Sequence, residues 1–163
     1  MLRQRVVREG AVAGTLGALA VAVWFFAVDL VAAAPLYTPR FLGQALFGIL
    51  SETARDAVVW PVVGYTAVHF AAFIGIGILV AKIVELSDRT PAVLAGLFLM
   101  FAVLEVSFYM LAALLSTFGA LGSLAWYQVL LANLVAAGVM GGYLWHEHPE
   151  MLPRLHAALR GTT

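Results

Sequence analysis

Residues 91–115, PAVLAGLFLMFAVLEVSFYMLAALL, decide the fold. Glu105 is the one charged residue in this run. About 20 apolar residues at about 1.5 Å rise each are enough to cross the ~30 Å hydrocarbon layer of a bilayer. An acid at that depth costs at least about 2.5 kcal/mol on insertion scales, so it has to face protein, water or a partner. The stretch therefore predicts a transmembrane helix, and its acid predicts neighbours.

The rest of the composition agrees. Of 163 residues, 63% are hydrophobic and 11% are charged, where a soluble domain carries about 25% charge. Mean hydropathy is +0.98. These values predict one integral membrane domain over residues 1–163, all-α, with the lipid bilayer as its first partner. Net charge is zero, so nothing points to nucleic acid, and the basic residues read as topology signals. With no cysteine, disulfides, thiolate metal sites and thioether-linked haem are excluded. The opening MLRQRVVREGAVAG puts basic residues before an apolar run, as a signal peptide does. That run reaches about Ala34, longer than an h-region of about 7–15 residues, so a retained anchor is expected.

Four spans follow, at about 10–34, 62–86, 91–115 and 124–145. In the first, Gly10, Gly14, Gly17, Ala18 and Ala22 form a small-residue stripe that lets helices approach closely in lipid. Asp29 near its outer end shares a face with Ala11, Ala18 and Ala22, so it is predicted to point inward. The segment 38–58 is too polar and Pro-broken to span. Thr38-Pro39 reads as an N-cap followed by Pro at the first helical position. Phe41, Leu42, Ala45, Leu46, Ile49 and Leu50 recur at helical spacing opposite Gln44, Gly48, Ser51, Glu52 and Arg55, which predicts an interfacial amphipathic helix. Tyr37 and Trp60 bracket it as interfacial aromatics. In the second span the stripe Ala67, Ala71, Gly75 lies opposite His69. The third and fourth spans, joined by STFGALGS, are expected to form an antiparallel hairpin. The tail, 146–163, is polar enough to leave the membrane.

Placing both termini in the cytoplasm puts Arg3, Arg5, Arg8, Lys82, Arg89, Arg154 and Arg160 inside and only Arg40 and Arg55 outside. The positive-inside rule favours that orientation in a bacterial inner membrane. Asp29, His69, Glu105 and Asn133 then lie roughly 8–15 Å below the outer interface, at 1.5 Å per residue. One polar group from each span is thus predicted in a common layer.

That layer admits several readings. Polar side chains bond between transmembrane helices and specify packing, at about 0.6–2 kcal/mol each. Glu105 and His69 could instead titrate in a proton- or ion-handling cavity. His69 could also be an axial ligand to haem or a chlorophyll-type pigment. It is the one mid-membrane histidine, so a bis-histidine site within one chain is excluded. His146-Glu147-His148-Pro149-Glu150 has the composition of a metal tract but lacks the i, i+4 histidines of a helical zinc site. No metal centre is expected there, and His146 and His148 are the only candidates. Arg40, Glu52, Arg55 and Asp56 read as surface charges, with docking of a neighbouring membrane subunit as their alternative role. No G-x-S-x-G, H-E-x-x-H, phosphate loop or di-iron pair occurs, so no enzymatic reaction is expected.

The stretch VWFFAVDLVAAAPLYTPRFLGQALF, with an acid near the end of span one and then P-L-x-T-P-x-x-L-G, resembles a group of uncharacterised four-span bacterial membrane proteins. The closing LLANLVAAGVMGGYLWHEHPEM is similar in style. The resemblance implies the four-span architecture and no activity. The function expected from these observations is a non-catalytic membrane subunit within a larger complex, such as a respiratory or photosynthetic one, or a self-associating one. A small proton- or ion-coupled transporter and a cofactor-bearing subunit stand as its alternatives.

Overall fold

The computed structural model describes residues 2–48, 59–87, 93–116, 126–150, 153 and 156. Five helices hold nearly all of them: α1 Leu2–Val31, α2 Tyr37–Gly48, α3 Val59–Leu86, α4 Val93–Ser116 and α5 Trp126–Glu147. Among the described residues the architecture is all-α. Three helices are long and apolar enough to cross a membrane, over Gln4–Val31, Val59–Leu86 and Trp126–Glu147. Helix α4 has 24 residues, with a clearly apolar segment at Leu99–Met110.

Helix α1 is the centre of the arrangement, packing on both α3 and α5. It starts at Leu2, ahead of the span expected from about Gly10, because arginine is a good helix former and Arg5 pairs with Glu9 one turn on. Gly10, Gly14, Gly17 and Ala18 of its small-residue stripe are buried, as expected, while Ala22 is exposed. A Cβ added to Gly14 would overlap the backbone of Phe73 and Ile74, and one added to Gly77 would overlap Gly10 and Gly14. The backbones of α1 and α3 therefore touch where Gly10-x-x-x-Gly14 meets Gly77, a spacing that permits such contact. Gly10 lies by Ile78, Gly14 by Phe73, and Ala18 by His69, so the two helices run antiparallel. On its other side, Val21 packs with Ala132 and Ala136, flanked by Trp24, Phe25 and Phe73. At the opposite end Ala13, Ala81, Val84 and Leu144 form a second buried cluster, with Leu97 of α4 against it. Helix α4 thus starts at the end where α3 and α5 finish.

The exit from α1 departs from expectation. The helix stops at Val31, and the Ala34 N–H bonds the Asp29 carbonyl (2.9 Å) while the Ala33 N–H bonds that of Leu30 (3.0 Å). This is a Schellman C-cap with Ala33 at the left-handed position, φ 53°. Leu36, φ 64°, supplies a second left-handed residue, and the chain reverses into α2. That helix begins at Tyr37, so Thr38 and Pro39 sit in its first turn and do not form the expected N-cap and first position. The cap comes from Asp29. Helix α2 packs on α3 through Gly43, against Pro61, and Phe47, against Gly64, while Leu46 is exposed. The remainder of the 38–58 segment lies outside the described residues, as do the loops 88–92 and 117–125 and most of the tail.

Candidate functional site

The expected polar layer resolves into separate stations. At the first, Asp29 is 2% exposed and Thr38 4% exposed. The Thr38 N–H donates to one Asp29 carboxylate oxygen (2.8 Å) and the Thr38 hydroxyl to the other (2.7 Å). Asp29 points inward, as its helical face predicts, and satisfies orphan donors at the start of α2. Its two oxygens each hold a bond, so the group serves the α1–α2 corner.

The second station is His69. Its Nε2 donates to the Ala18 carbonyl on α1 (3.2 Å), and its ring lies among Tyr65, Phe70 and Phe73, the last at 4.8 Å between centroids. Ligating haem or a pigment through Nε2 would require giving up the Ala18 bond. Asp29 and His69 both line one cleft of about 310 Å³ between α1, α2 and α3, whose other walls include Val21, Phe25, Tyr65 and Phe70. The cleft is within the size range of small-molecule sites, but its Asp29 end is already bonded to Thr38.

The third station is Glu105, at the middle of α4 and 7% exposed. Both of its carboxylate oxygens are buried and without a hydrogen-bond partner. Asn133 of α5 is the polar side chain beside it, outside hydrogen-bond geometry. One turn further along α4, the Tyr109 hydroxyl donates to the Trp126 carbonyl (2.9 Å), tying the far end of α4 to the start of α5. Among the described residues no hydrogen bond joins Glu105 or Asn133 to Asp29 or His69.

The remaining candidates lie apart from these. His148 reaches Glu9 of α1 (Nε2 to Oε2, 3.0 Å), and Arg5 holds the other Glu9 oxygen, so His148 fastens the end of α5 to the start of α1. His146 is exposed. Among the described residues no three His, Cys, Asp or Glu side chains converge as a metal site requires. Arg40 is exposed on the first turns of α2, while Glu52, Arg55 and Asp56 fall outside the described residues.

Two interhelical polar contacts carry no signal in the sequence. The Trp24 indole N–H donates to Gln128 Oε1 (3.2 Å), and Glu9 meets His148 across 139 positions. Nothing in the spacing of a tryptophan in the first span and a glutamine in the fourth pairs them. No family model matches the chain, and no curated protein and no solved structure is significantly similar to it.

Proposed function

We propose that this chain is a non-catalytic integral membrane subunit that packs against other subunits of a larger complex. In this reading α1, α3, α4 and α5 all cross a bacterial inner membrane. Helix α2 begins an interfacial segment on the outer face, and both termini lie in the cytoplasm. The antiparallel order of α1 with α3 and with α5, and the start of α4 beside the ends of α3 and α5, support four crossings.

One observation carries the subunit role. Gly138 and Gly142 of α5 are exposed at a spacing of four, and a Cβ added to either would meet nothing within 4 Å. Glycine inside a helix costs about 0.5–1 kcal/mol relative to alanine. A face turned only to lipid recovers none of that, because lipid tails pack as well on leucine. The same spacing at Gly10 and Gly14 seats another helix at backbone contact within this chain, and small-x-x-x-small faces serve that purpose in membranes generally. Helix α3 repeats the pattern with Ala67, Ala71 and Gly75, all exposed.

The test is the double substitution Gly138→Leu with Gly142→Leu. With open space at both positions, the expected outcome is a normally folded chain that no longer brings partners through a gentle purification. Partners retained at wild-type stoichiometry would count against this face as the docking surface.

A further inference from the structure

Glu105 is the buried carboxyl that the packing of this chain leaves unexplained. It sits about 18 Å from the start of α4 at 1.5 Å per residue, the middle of the helix. Its two oxygens are the buried side-chain polar atoms that lack a partner among the described residues. A buried ion needs a compensating charge or several hydrogen bonds, and without them the group takes its neutral form.

Three compensating species can be compared on the residues present. A basic side chain is the first, and no described lysine, arginine or histidine pairs with Glu105. Lys82 and Glu85 of α3 lie toward the end of α3 that packs beside Leu97 and the first turns of α4. A metal cation is the second. Calcium takes about 6–8 oxygen ligands and magnesium a near-octahedral set, whereas among the described residues no three His, Cys, Asp or Glu side chains converge here. The Tyr109 hydroxyl is already directed at the Trp126 carbonyl. A proton is the third, and it needs a single lone pair. The O–H it creates can be accepted by the amide oxygen of Asn133, the polar side chain beside it on α5. Tyr109, one turn further along the same helix, is its titratable neighbour. The side chain that α5 presents to it, Asn133, does not titrate.

We propose that Glu105 and Asn133 form an exchangeable proton-binding site between α4 and α5, whose ligand is the proton and not a metal cation. The subunit reading does not require this site, and its failure leaves that reading standing.

The experiment is infrared spectroscopy of the full-length protein in lipid at neutral pH, compared with Glu105→Gln. Glutamine is close in shape to the protonated acid, so the variant is expected to fold. The wild type shows a protonated-carboxyl C=O band that the variant lacks, and transfer to D₂O moves that band downward as the proton exchanges. Asn133→Leu, which removes the acceptor, moves it upward. Each of the following overturns the proposal: no such band, a band that deuterium leaves in place, a band indifferent to Asn133→Leu, or a band removed by sodium or calcium salts at constant pH.

Discussion

Asp29 holds the N–H and the hydroxyl of Thr38 on separate oxygens, at 2.8 and 2.7 Å, with both residues buried. One side chain near the end of α1 thereby fixes the start of α2 nine positions later. Asp29→Ala leaves two buried donors unmet. A lost cap costs about 0.5–2 kcal/mol and a buried unsatisfied group about 1–3 kcal/mol. The expected loss is about 2 kcal/mol, and Thr38→Val, which retains the N–H bond, loses about half of that. Thermal unfolding in detergent compares the two. Equal stabilities for Asp29→Ala and the wild type would contradict the role of this corner.

Ala33 occupies the left-handed C-cap position that glycine fills without strain. An L-residue there costs about 1–2 kcal/mol, partly offset by the greater chain entropy that glycine loses on folding. Ala33→Gly is expected to stabilise the protein by about 0.5–1 kcal/mol, visible as a higher unfolding midpoint. A lower midpoint would mean that the turn tolerates alanine freely.

Gly77 and Gly75 lie two positions apart on α3 and are predicted to respond in opposite ways. A methyl group at Gly77 would overlap the backbone of Gly10 and Gly14, while one at Gly75 meets open space. Overpacking costs about 1–3 kcal/mol where side chains can yield, and here the obstacle is main chain. Gly77→Ala is expected to lose about 3 kcal/mol or more. Gly75→Ala is expected to leave the folded chain as stable or to gain up to about 1 kcal/mol from helix propensity. Comparable losses at both positions would show that α1 and α3 do not cross at this contact.

His69→Ala removes the bond to the Ala18 carbonyl and a ring packed among three aromatics. Interhelical bonds in membranes average about 0.6 kcal/mol and reach about 1.7 kcal/mol, and the lost packing adds to that. The expected loss is about 2–3 kcal/mol, with His69→Phe recovering part of it. A visible absorption band in the purified wild type that His69→Ala abolishes would put the cofactor alternative first.

The helices were legible in the sequence because apolar runs of this length have few other interpretations. The inward aim of Asp29 and the use of Gly10 and Gly14 followed from helical periodicity. Azimuth was not legible. Asp29, His69, Glu105 and Asn133 read as one layer because depth follows from counting residues. Which neighbour each helix turns toward depends on packing that one sequence does not disclose. So Asp29 and His69 flank a cleft beside α2, while Glu105 faces Asn133 across a different helix pair. The start of α2 is hidden from the sequence for a related reason. Thr38-Pro39 has cap chemistry of its own, and only the fold reveals that a side chain from the preceding helix supplies the cap.

The most direct test of the subunit reading is gentle affinity purification of the tagged chain from native membranes, with mass spectrometry of whatever accompanies it. The reading predicts stoichiometric partners belonging to one membrane complex. Recovery of the chain alone, or only as copies of itself, would contradict it.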